Sequence, residues 1–135
     1  MTLLCSAPQD RAQIAQAFAD PTRLVVVALC AAWCDTCVLF QAGFERMARS
    51  RPQTTFIWID IEDDAAIAGE IDVENFPTLA VYRGHAVLHF GVSLPHETTV
   101  GRLIDALAAR DAPLADPPLA VAELPARWRT IAGSS

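Results

Sequence analysis

Leu24-Val25-Val26-Val27-Ala28-Leu29-Cys30-Ala31-Ala32-Trp33-Cys34-Asp35-Thr36-Cys37 is the stretch that decides the fold of this chain. Residues 24–30 form a continuous apolar, β-branched run, which suits a central strand covered on both faces. From Cys37 the period changes. Phe40, Phe44 and Met47 recur at i, i+4 and i+7, arginines gather near the end, and Ser50-Arg51-Pro52 stops the pattern. A buried strand therefore hands over to a helix at Trp33-Cys34-Asp35-Thr36-Cys37, the context in which a C-x-x-C reads as a redox pair.

The chemistry follows from that placement. Two residues three apart on the first turn of a helix bring their sulfurs within reach of a disulfide. The unpaired backbone N–H groups and the positive end of the helix dipole favour a thiolate at Cys34. Cys34 is thus expected to attack a substrate disulfide and Cys37 to resolve the mixed disulfide. Two structural thiols in a helix turn are the bland alternative.

Outward from this motif, Pro8 to residue 19 reads as a first helix, with a capping hydroxyl at Ser6 and Ile14 and Phe18 on one face, ended by Asp20-Pro21-Thr22. Thr54–Asp60 reads as a second buried strand, and Glu62-Asp63-Asp64 as the start of a short helix carrying Ile67 and Ile71 inward. After Phe76-Pro77, the runs Thr78–Tyr82 and Ala86–Phe90 flank Arg83-Gly84-His85, which favours an antiparallel hairpin and makes the sheet mixed. Pro95 and Glu97 open a last helix striped by Val100, Leu103, Ile104, Leu107 and Ala108. The domain is expected to span residues 1–110. Residues 111–135, with four prolines and an alanine-rich Leu119–Leu124 segment, are expected to be an extended tail with one short helical turn, Trp128 docking it to the domain.

Bulk properties narrow the function. A chain of 135 residues that is about half apolar can bury one core. With 10 basic against 16 acidic residues, a net charge of −6 and scattered arginines, neither nucleic acid nor an acidic membrane is an expected partner. The opening Met1-Thr2-Leu3-Leu4-Cys5 has no basic start and no sustained apolar run, and residues 24–32 are too few to span a bilayer, so a cytoplasmic location is expected. In that compartment four cysteines read as thiols, metal ligands or redox catalysts.

Taken together, the Trp-Cys-x-x-Cys at a strand–helix junction, the strand ending Ile59-Asp60-Ile61-Glu62, Phe76-Pro77-Thr78 about forty residues later, and the closing hairpin and helix resemble the thioredoxin family over about residues 2–110. The resemblance implies an α/β thioredoxin fold, a central mixed sheet of four to five strands flanked by about four helices. It also implies a protein-disulfide reductase in cell redox homeostasis, acting on protein disulfides, re-reduced by a thioredoxin-reductase-like or glutathione donor, monomeric, and needing no cofactor or metal. By the same resemblance Pro77 is cis, and Trp33, Phe76, Pro77, Gly91 and Val92 rim a shallow groove for extended peptide. A non-enzymatic thioredoxin-like adaptor or chaperone-type binding module is the second function the fold permits.

The chain also departs from the family. Ala28 stands where thioredoxins carry a buried aspartate, and Trp58 where its lysine partner would be, so acid and base are lost together and the pocket is apolar. Asp35-Thr36 replaces Gly-Pro inside the motif, placing a charge that opposes the thiolate. Activity is therefore expected to be weak. Cys30-x-x-x-Cys34-x-x-Cys37 also matches the three-cysteine spacing of iron–sulfur enzymes that use S-adenosylmethionine, but those need a larger barrel, and Cys30 is expected to be a small buried apolar residue. His85, His89 and His96 have no metal spacing, and Cys5 is a lone terminal thiol.

Overall fold

Strand β2, Leu24–Cys30, is buried along its whole length. In the computed structural model, which describes residues 3–5, 8–31, 33–62, 71, 73, 75–109 and 113–133, this strand lies at the centre of a five-stranded sheet. The other strands are β1 (Leu4–Cys5), β3 (Thr54–Asp60), β4 (Thr78–Arg83) and β5 (Ala86–Val92), in the order β1-β3-β2-β4-β5. β1 and β2 run parallel to β3, and β4 runs antiparallel to both β2 and β5. The expected mixed sheet is present. The expected helix after Glu62 falls on residues 63–70, outside the described residues, and only Ile71 of its inward pair is seen, buried.

Alternation along β2 sorts its side chains onto two cores. Val25, Val27 and Leu29 join one cluster with Ile14 and Phe18 of helix α1 (Arg11–Ala19), while Leu24, Val26 and Ala28 join another with Phe40, Phe44 and Met47 of α2 (Asp35–Ser50). Helix α3 (Glu97–Ala108) supplies Val100, Ile104 and Leu107 to the second cluster. Ion pairs Arg46–Glu97 (2.7 Å) and Arg51–Asp105 (3.3 Å) tie α2 and its end to α3, though exposed pairs of this kind add little. The turn between β4 and β5 needs its glycine: Gly84 has φ +59°, and a Cβ there would stand 2.9 Å from the Pro21 backbone.

Residues beyond 110 are not the extended tail expected from their composition. Leu119–Gly133 is a fifteen-residue helix, α4, packed on α1 and β5. Val121, Leu124 and Trp128 are fully buried in the first cluster. The docking role expected of Trp128 is what the structure shows, but it belongs to a core helix. Pro125 lies inside α4 and has no N–H for the carbonyl of Val121, a fault that usually breaks a helix. Here the Tyr82 hydroxyl donates to that carbonyl at 2.8 Å, in a buried setting that also pushes the phenol pKa far up. The sheet thus repairs the helix. The chain is led there by Leu114, whose N–H donates to the Val87 carbonyl at 2.7 Å.

Trp128→Ala should cost about 3–5 kcal/mol, as for other large core aromatics. Tyr82→Phe should cost about 1–3 kcal/mol, because it leaves the Val121 carbonyl buried and unpaired. Urea unfolding followed by far-UV circular dichroism measures both.

Candidate active site

Beyond Cys30 the chain turns once before α2: the Cys34 N–H donates to the Ala31 carbonyl at 3.0 Å. Cys34 is the N-cap of α2, with extended backbone (φ −87°, ψ 112°), and its carbonyl accepts the Val38 N–H at 3.1 Å. The amides of Asp35, Thr36 and Cys37 therefore open the helix without helical partners and polarise the space beside the cap. The Cys34 sulfur is free and half-buried, while Asp35 and Thr36 are exposed.

The disulfide in the structure differs from the expected Cys34–Cys37 pair. Cys37 is bonded to Cys30, with their Cα atoms 5.9 Å apart. The reason lies in where α2 points its side chains. Cys37, one position into the buried stripe that continues through Phe40, Phe44 and Met47, is 1% exposed and faces the sheet. Cys30 ends β2 under that first turn and is likewise 1% exposed. Cys34, on the cap, stays at the surface. Cys30 is thus buried as expected, but as a disulfide partner and not as a plain apolar residue. Its spacing from the pair was legible in sequence; that the strand end brings it under Cys37 was not.

Contacts link the expected rim residues to their neighbours on either side of the Phe76–Pro77 peptide. The Trp33 indole, 64% exposed, meets the Phe76 ring edge-on with centroids 5.5 Å apart, and its Nε1 donates to Glu62 Oε1 at 2.6 Å. The Phe76–Pro77 peptide is cis and Pro77 is buried. The Pro77 carbonyl accepts the Ser93 N–H at 3.0 Å, which joins it to the end of β5, where Gly91 and Val92 pair with Leu79 and Thr78. Among the described residues a Cβ on Gly91 would meet nothing nearer than the His89 ring at 3.8 Å, an ordinary contact distance. Sequence reasoning missed Glu62, which holds the indole.

Beneath the motif, Ala28 is fully buried and stands in register with Trp58 on β3 and Leu79 on β4. Trp58 packs on Phe44 and Phe40, with ring centroids 5.8 and 6.3 Å away, so it fills the volume with aromatic surface. The described residues hold no group of three or more His, Cys, Asp or Glu side chains placed to bind a metal ion.

The sequence model of thioredoxin matches residues 7–99. This chain belongs to the thioredoxin family. A thioredoxin from Ophiophagus hannah is 32% identical over 68 residues, half of this chain and 65% of that protein's length. A thioredoxin H-type from Brassica campestris is 24% identical over 102 residues, 76% of this chain and 83% of its own. Among solved structures, a thioredoxin from Nicotiana alata superposes with a TM-score of 0.66 at 18% identity, covering 78% of this chain and 91% of its own, which speaks for the fold alone. Proteins of the thioredoxin family are in general thiol–disulfide oxidoreductases. Helix α4 lies wholly beyond the matched residues.

One titratable group beside the rim is perturbed. Burial holds the His89 imidazole below its ordinary pKa, and Nε2 is buried without a partner among the described residues. The unfolded chain takes up this proton near about pH 6.5, the folded chain only at lower pH. Stability should therefore be lost as pH falls from that value towards the folded one, and be untouched above it. Between about pH 7 and pH 5, the fall in urea midpoint should be smaller for His89→Gln than for the parent chain.

Proposed function

We propose that this chain is a cytoplasmic thiol–disulfide oxidoreductase that reduces protein disulfides in cell redox homeostasis, with Cys34 as nucleophile. The observation that carries this reading is the free, half-buried Cys34 sulfur at the N-cap of α2, next in the chain to the exposed Trp33, whose indole meets Phe76. The Cys34 thiolate attacks one sulfur of a substrate disulfide, the S–S bond breaks, and one substrate sulfur leaves as a thiolate. The Cys37 thiolate then attacks Cys34, forming an intramolecular disulfide and releasing the second substrate thiolate. Two electrons pass to the substrate, and a thioredoxin-reductase-like or glutathione donor restores them. The chain's own sulfurs carry the electrons, so the step calls on neither cofactor nor metal, and a monomer suffices.

Substrate backbone would lie along the residues before Pro77, with Gly91 leaving room for it and Trp33 and Val92 covering apolar side chains. Buried Ala28 supplies no carboxylate to take the Cys37 proton, so resolution is slow and the activity weak. A second reading, the non-enzymatic adaptor, gains from the Cys30–Cys37 bond, which leaves Cys34 without a resolving thiol for as long as it persists.

In an insulin-reduction assay with dithiothreitol or a thioredoxin reductase as donor, the parent chain should exceed the uncatalysed rate and Cys34→Ser should fall to it; a parent chain without turnover would favour the adaptor, and turnover that survives the substitution would remove Cys34 as the nucleophile. Ala28→Asp should raise turnover about tenfold, below the full contribution of a well-placed acid–base group. The same substitution should lower stability by about 1–3 kcal/mol, the cost of a buried polar group without a partner.

A further inference from the structure

The geometry points to Cys30 as a third redox-active cysteine: it exchanges with the Cys34–Cys37 disulfide, so that the oxidised protein stores its bond between Cys30 and Cys37 and regains a free thiol at Cys34. The inference rests on the proposed function for Cys34 as the entry point, and adds a residue and a state to it.

Three observations carry it. Cys37 is bonded to Cys30, and Cys34 is the thiol left free. The Cα separation of 5.9 Å lies within the ordinary range for a disulfide, so the bond needs no displacement of β2 against α2. The two bonded sulfurs belong to residues shielded from solvent, whereas Cys34 is half-buried at the rim. Cys37 therefore has one neighbour inside and another outside, and its sulfur is the one both would share.

The exchange balances without any outside reagent. The Cys30 thiolate attacks Cys37 Sγ; the Cys30–Cys37 bond forms, the Cys34–Cys37 bond breaks, and Cys34 leaves as a thiolate. One disulfide is consumed and one made, with no net oxidation, and the proton lost by Cys30 is balanced by the one Cys34 takes up through solvent. Burial then protects the new bond from external thiols, since exchange depends on access to the sulfur attacked. Electrons return by the reverse path, with Cys34 attacking Cys37, so Cys34 remains the point of exchange with substrate and donor. In the oxidised state the surface thiol is free to form a mixed disulfide with a second disulfide compound, which a two-cysteine site in its oxidised form could not do.

The test is disulfide mapping of the full chain carrying Cys5→Ser, oxidised with diamide, acid-quenched, alkylated and digested. One alkyl group on Cys34 and a Cys30–Cys37 linked peptide are expected; a Cys34–Cys37 linkage with Cys34 unlabelled would overturn the relay and leave the proposed function intact. Adding Cys30→Ala should abolish Cys34 labelling in the oxidised form. If that variant does not fold, Cys30→Ser serves instead: loss of Cys34 labelling in its oxidised form is expected, and labelling that survives the substitution would overturn the relay. Insulin turnover by Cys34→Ser judges the proposed function separately from these labels.

Discussion

β2 is paired on both edges and covered on both faces, and that double burial is the constraint on which the rest hangs. A strand so placed has every backbone group spent in ladders and every side chain spent in one of two cores. It cannot shift by one residue without exchanging Val25, Val27 and Leu29 for Val26, Ala28 and Cys30 across the sheet. Its C-terminal end is therefore fixed in space, and the chain leaving it makes a single turn at Ala31–Cys34 before α2 begins. The position of the Cys34 sulfur, and of the helix dipole behind it, is inherited from this register.

The same constraint orders the three cysteines by depth. Cys30 belongs to the strand, Cys37 to the inward stripe of the helix and Cys34 to the cap between them, so two sulfurs are buried together and one reaches the rim. The proposed chemistry uses one exposed sulfur and one protected one. Here the protected side holds two. The apolar surroundings made by Ala28, Trp58 and Phe40 carry no charge to be left unpaired, which suits a core that must also tolerate sulfur in either oxidation state.

On the opposite face of the sheet, α4 occupies ground that the family match does not reach. Trp128, Leu124 and Val121 close over Phe18 and Tyr82, and the Tyr82 hydroxyl occupies the carbonyl that Pro125 leaves open. Helix and sheet are complementary at this buried hydrogen bond. This makes residues 119–133 part of the fold. Because α4 sits across the sheet from α2, its burial leaves the cysteine rim uncovered.

Much of this was legible in the residues. The runs 24–30 and 54–60, the helix stripe from Phe40 to Met47, the hairpin about Gly84 and the stripe from Val100 to Leu107 are local patterns, and local patterns report strand and helix directly. Cys34 at a strand–helix junction and the pairing of Trp33 with Phe76-Pro77 were legible for the same reason and through family likeness. Two things were decided only in three dimensions. Pro125 argues locally against a helix, and α4 exists because buried contacts with α1 and a hydroxyl from β4 outweigh that local preference. The partner of Cys37 was equally undecided by spacing, since three and seven residues both fall within reach. The packing of one face of α2 onto the end of β2 chose Cys30, because a disulfide forms where sulfurs are held together and not where they are near in sequence.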